Sequence, residues 1–154
     1  MSDPVNMVQL VSSMPSRPRG RACIVLTHEY EGQKEWAAEL AHQTKSEHLN
    51  LLELFSEDAE LSRKISQFLI PSLFEFLKGY DKAPVLIVSG VEFLKATWSG
   101  QTNSVEQFAS HVETWNQKPC ILFVLQHDKI IATRKFRRYQ QYTFVVDQRE
   151  TLAL

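Results

Sequence analysis

Gly32, Gln33 and Lys34 close a polar loop that follows the apolar run Ala22 to Leu26 and opens a segment with Trp36, Ala37, Leu40 and Ala41 at helical spacing. A glycine at such a turn lets backbone N–H groups converge on an anion, and a lysine beside it can neutralise a phosphate. The same loop carries Glu29 and Glu31. Each would repel a phosphate charge about 4 Å away by roughly 1 kcal/mol in water and about 4 kcal/mol at an effective dielectric of 20. Lys34 offsets only part of that. The structural alternative is an ordinary strand, loop and helix in which Gly32 makes the turn.

Other chemistry-bearing residues fall into separate groups. Glu92 is the carboxylate that follows the third apolar run, Pro84 to Val88, after Ser89 and Gly90. The densest positive cluster is Lys129, Arg134, Lys135, Arg137 and Arg138, with Tyr139 and Tyr142 interleaved. Arg and Lys there could contact phosphates and Tyr could stack on an unpaired base, while the alternative is a solvated face. His127 and Asp128 end an apolar run, where α/β proteins place ligands and where turns also place polar residues. The five histidines are scattered, with no metal spacing, so no metal site is expected. Cys23 and Cys120 lie inside apolar runs and no Ser, Cys or Thr stands in a nucleophile elbow, which disfavours hydrolase chemistry. Phe93 and Trp98 read as core, or as an exposed contact.

The elements that must position these groups alternate. Ser2, Asp3 and Pro4 signal the start of a helix on which Val5, Val8 and Val11 or Ser12 face a core, and residues 15 to 20 form a connector. Strands are expected at Ala22 to Leu26, His48 to Leu54, Pro84 to Val88, Cys120 to Leu125 and Tyr142 to Val146. Between them lie a helix from Gln33 to Lys45, and a helical stripe from Leu61 to Leu77, capped from Ser56 and kinked or split in two at Pro71. A further helix is opened by a capping box of Ser104 and Gln107. Each parallel pairing needs a crossover, so this alternation implies a three-layer α/β sandwich around a mostly parallel five-stranded sheet.

A chain of 154 residues with a formal net charge of −1 is expected to form a single domain, divided into residues 1 to 21, a core over 22 to 146 and a tail over 147 to 154. Near-neutrality removes a global field for nucleic acid or membrane, so any such contact must be local. No apolar run has transmembrane length and no signal-peptide pattern opens the chain, and with two cysteines in core runs the cytoplasm is the default compartment.

The strand, loop and helix over Arg21 to Leu40 resemble the Walker A region of P-loop proteins. In that register Thr27 stands for the first glycine, Gly32 keeps the second, Gln33 replaces the lysine and Lys34 replaces the Ser or Thr that holds magnesium. The five alternating strands resemble the core of AAA+ and related P-loop ATPases without their helical lid. At the family's Asp-Glu position this chain has Ser89 and Gly90, with Glu92 two residues on; Gln126 matches its polar sensor, and Thr133 to Tyr139 matches the segment that supplies an arginine finger. More narrowly, the length, Asn50 to Leu54, Glu92 and the Arg-Tyr-rich segment are similar to the small P-loop proteins of type 3 BREX phage-defence islands.

The expectation is thus a non-catalytic P-loop-like module that binds a protein partner, such as an ATPase or another subunit of an ATP- or DNA-dependent bacterial complex. ATP and magnesium are disfavoured as cofactors, and a homo-oligomer is compatible with the reading. The alternatives are a weak nucleotide-binding ATPase using Gly32, Gln33, Lys34 and Glu92, completed by Arg137 or Arg138 of a neighbouring subunit, and a DNA- or RNA-binding accessory using the basic segment.

Overall fold

In a computed structural model, residues 3–98, 103–138 and 141–154 are described. The sheet contains β1 (Ala22–Thr27), β2 (Glu47–Asn50), β3 (Val85–Ser89), β4 (Cys120–Gln126) and β5 (Val145–Asp147) in the order β2-β3-β4-β1-β5. Every pairing is parallel. β1 and β4 run side by side from Ala22 opposite Ile121 to Thr27 opposite Gln126.

Both faces of the sheet are covered, which is why its central strands read as unbroken apolar runs. Along β1, Ala22, Ile24 and Leu26 enter one core with Ile121, Phe123 and Leu125 of β4, while Cys23 and Val25 enter the other with Cys120, Leu122 and Val124. The second core lies under α1 (Met7–Ser13) and α2 (Gln33–Thr44), through Met7, Val11, Ala37, Leu40 and Ala41. The first is aromatic, with Phe74, Phe108 and Phe123 packed ring to ring. It is closed by α3 (Leu51–Glu57), α5 (Ile70–Leu77), α6 (Glu92–Thr97), α7 (Ser104–Thr114) and α8 (Lys129–Thr133). Trp98 belongs to this core, 1% exposed, its indole N–H donating to Phe68 O. Both cysteines are buried and free.

Several boundaries differ from the sequence reading, and at Asn6, Asn50 and Asp58 a side chain competes for the backbone. α1 begins at Met7, capped by Asn6, whose side chain accepts from Gln9 N; Val5 pairs instead with Thr151. The second strand stops at Asn50 because the Asn50 side chain accepts from Glu53 N and starts α3, so Leu51 to Leu54 are helical. Ser56 lies inside α3, and it is Asp58 that caps α4 (Ala59–Arg63). Asn103, in the left-handed region at φ 59, occupies the cap position of α7, with no side-chain capping bond, so the Ser104 box does not form. The helical stripe breaks before Pro71, at a 3-10 turn over Ile65–Gln67, and Pro71 sits in the first turn of α5, where its missing N–H costs nothing. The fifth strand begins at Val145, and residues beyond it return to the amino terminus, where Leu152 N donates to Val5 O. Of the residues 99 to 103 that precede α7, where the sequence also suits a loop, only Asn103 lies within the described residues.

No helix among the described residues is long and apolar enough to cross a membrane.

Candidate functional site

The chain leaves β1 through α2 on one face of the sheet and leaves β4 through α8 on the other. Their carboxyl ends are neighbours, so the connections diverge there and open a crevice, the place where open α/β sheets bind ligands. Thr27 and Gln126, partners in the register, end the two strands there.

Gly32 sits at the start of α2 with φ 83, and a Cβ built there meets nothing within 4 Å. The left-handed backbone alone therefore accounts for a glycine at this turn. It also aims the next residue inward: Gln33 is 3% exposed. Its amide nitrogen donates to Thr27 Oγ1 at 3.2 Å and Glu92 Oε2 at 3.1 Å, and its carbonyl accepts from Gly90 N at 3.4 Å. The amide orientation follows from these partners, since a backbone N–H needs an acceptor and a carboxylate needs a donor. Glu92 Oε2 accepts a second bond, from Gln126 N at 2.7 Å, while Glu92 Oε1 is buried without a partner among the described residues. Thr27 Oγ1 in turn donates to Leu125 O at 3.2 Å. Four segments thus meet at one amide and one carboxylate.

Lys34 points elsewhere. Half exposed, it pairs with Glu53 of α3, and that hydrogen bond raises its ammonium above the ordinary value. A cleft of about 260 Å³ lies beside the pair, lined by Tyr30, Gly32, Asn50 and Leu52 among others. Next to it, Asn50 Nδ2 and the His48 ring both reach Ser89 Oγ, at 3.1 and 2.8 Å. Burial holds the His48 imidazole below its ordinary value, with Glu53 opposing and Lys34 adding to that effect. A triphosphate with magnesium does not fit this donor set. The inward residue is a neutral amide already bonded, the lysine is committed to Glu53, and Glu29 and Glu31 stand exposed in the loop.

On the opposite flank, the sequence reading missed a second constellation. His28 Nε2 meets Asp147 Oδ2 at 2.9 Å, and its ring stacks on His127 with centroids 4.8 Å apart. Burial would raise the Asp147 carboxyl, but His28 and the Arg149 N–H and guanidinium hold it down at about 2. Asp128 caps α8 through Ile130 N and Ile131 N and pairs with Lys95 at 3.1 Å. Burial would raise its carboxyl too, and these partners keep it lowered. His28 and Asp147 are 119 residues apart, so only the β1–β5 pairing reveals them. Among the described residues no group of three His, Cys, Asp or Glu could hold a metal ion.

The basic segment divides. Arg134 is turned inward to Glu106 and Glu113, with its guanidinium 5.3 Å from the centre of the Phe136 ring. Lys129, Lys135, Arg137 and Arg138 are exposed, although Arg138 N is tied to Glu113 Oε2 at 3.1 Å. Tyr139 lies outside the described residues.

No family model matches the chain, and no curated protein matches it. Among solved structures, C. elegans PCH-2 is similar over 91% of this chain and 40% of its own length, at 10% identity and a TM-score of 0.49.

Proposed function

We propose that this protein is a non-catalytic, P-loop-like α/β module that works by binding a protein partner as an accessory subunit of a larger complex. One observation carries the reading: the crevice where this architecture would hold phosphate and magnesium is closed by its own hydrogen bonds, Gln33 to Thr27, Glu92 and Gly90, and Glu92 to Gln126 N. The sheet order, with β4 between β1 and β3, is consistent with the AAA+-like core that the sequence resembles. A bacterial ATP- or DNA-dependent assembly, such as a phage-defence complex, rests on the sequence resemblance alone. Arg134, held by two glutamates, is not available as a finger for a neighbour, which leaves the exposed Arg137 and Arg138 for any such contact.

Thermal unfolding with and without Mg-ATP tests this. A ligand at one hundred times its dissociation constant adds about 2.7 kcal/mol, which for a domain of this size raises the midpoint by roughly 5 to 11 °C. The expected result is no rise at millimolar nucleotide. A rise of that size would overturn the reading and return attention to Lys34 and Glu92 as nucleotide ligands.

A further inference from the structure

The amino ends of the strands, opposite the crevice, form a second surface. Pro15, Arg21, Asp81, Lys82, Pro84 and Lys118 line a cleft of about 450 Å³ there. Arg21 is fixed along its rim by backbone carbonyls: Nε donates to Gln117 O at 3.2 Å, and Nη1 to Pro15 O at 3.2 Å and to Arg17 O. Arg17 donates to Gly20 O at 3.2 Å and lies 4.6 Å from the centre of the Tyr142 ring. Carbonyls and a ring orient these guanidiniums without cancelling their charge. Both reach inward electrostatically, since burial raises the Cys120 thiol at the start of β4 while Arg21 and Arg17 pull against it. Arg19, Lys82 and Lys118 are exposed and form no ion pair among the described residues. Asp81, also exposed and unpaired among the described residues, is the one acid of those that line this cleft.

Near-zero net charge therefore hides a local excess. Arg21, Lys82 and Lys118 outnumber the one acid at this cleft, whereas at the carboxyl edge Glu29, Glu31, Glu35 and Glu53 outnumber Lys34 and Arg149. We propose that the amino-edge cleft binds the backbone of single-stranded nucleic acid, with Arg21, Lys82 and Lys118 on phosphates, Arg17 and Arg19 of the adjoining connector extending that contact, and the proline rings against sugars and bases. Preset guanidiniums and unpaired ammonium groups are what phosphate recognition needs, and a positively charged cleft is how a single strand's backbone is tracked. This surface is distinct from the 129–138 segment, and it stands or falls independently of the closed crevice at the other end of the sheet.

The test is fluorescence anisotropy of a labelled thymidine oligonucleotide over a salt series, with the full chain and two variants checked as folded by circular dichroism. In one, Arg19, Lys82 and Lys118 are changed to Glu; none of the three side chains makes a hydrogen bond among the described residues, so folding should survive. In the other, Lys135, Arg137 and Arg138 are changed to Glu. The protein should bind at about 50 mM salt, with log affinity falling linearly in log salt by roughly 0.7 per phosphate contact on a single strand. The first variant should lose at least about tenfold in affinity and about 2 from the slope, for three contacts at that coefficient; the second should change far less. Absence of binding by the unaltered chain would overturn the proposal, as would loss confined to the second variant. Equal affinity for the matching duplex would also overturn it, and tighter binding of polyglutamate would assign the surface to an acidic protein segment instead.

Discussion

Glu92 joins three parts of the chain through one oxygen, and its other oxygen is buried without a partner among the described residues. Buried polar groups of this kind are expensive to disturb, because removing one partner leaves the others desolvated and unpaired. Glu92→Ala would strand the Gln126 N–H and one Gln33 amide hydrogen, and is expected to cost about 1 to 3 kcal/mol. Glu92→Gln keeps one acceptor for Gln126 N but turns a donor toward the unpartnered side or toward Gln33, so its cost should be smaller, about 1 kcal/mol. Urea unfolding measures both. If neither variant is destabilised, Glu92 does not hold the crevice closed, and a catalytic assignment for it regains its footing.

At the scale of elements, the turn from β3 into α6 and the turn from β2 into α3 are locked together. Gly90 has φ +70, and a Cβ there would lie 2.7 Å from Asn50 Oδ1, the atom that caps α3. Gly90→Ala therefore meets both a backbone penalty of about 1 to 2 kcal/mol and displacement of a cap worth about 1 kcal/mol. In an Asn50→Ala background the collision and the cap are already gone, so only the backbone penalty should remain. A double-mutant cycle by denaturant unfolding reads that difference as a coupling energy; additivity would mean the two turns are independent. Asn50 also shows where sequence reading stops. The doubly covered strands were legible because a short, unbroken, β-branched apolar run bounded by turn residues suits a strand buried on both faces and little else. Leu49 to Leu54, by contrast, fits strand and helix alike, and the cap on Glu53 N decides between them. The same holds for the site. Gly32, Gln33 and Glu92 were legible as candidates one at a time, whereas the bond between Gln33 and Glu92 spans 59 residues and exists only once α2 and α6 are packed against the sheet. His28 and Asp147 carried no local signal of any kind, since neither lies in a motif and the β5 register alone brings them together.

For the whole molecule, the shifted groups that titrate in acid, His48, Asp128 and Asp147, lie on β2 or at the carboxyl ends of β4 and β5, so acid should loosen the fold there in two stages. His48 is held below its ordinary value of 6.5 by burial, so the folded state binds its proton less readily than the unfolded chain does. Its contribution is whole above pH 6.5 and is lost as pH falls below that value. Asp128 and Asp147 are held below their ordinary value of 3.8, Asp147 at about 2, so their contributions are whole above pH 3.8 and disappear as pH falls through the lowered values. The Asp147 share is modest, about 1 kcal/mol or less, because Arg149 and part of the carboxylate face solvent, which screens the pair. Thermal midpoints measured from pH 8 to pH 3 should thus show a first decline starting near pH 6.5 and a second below about pH 4. His48→Gln should flatten the first decline relative to the parent chain while leaving the second. Asp147→Asn should lower the midpoint at neutral pH and narrow the gap from the parent as pH approaches 3, because the parent loses there what the variant never had. Parallel curves for the parent and both variants would mean that neither the β2–β3 edge nor the β1–β5 edge is coupled to protonation, and that the carboxyl end of the sheet is no less stable to acid than the rest.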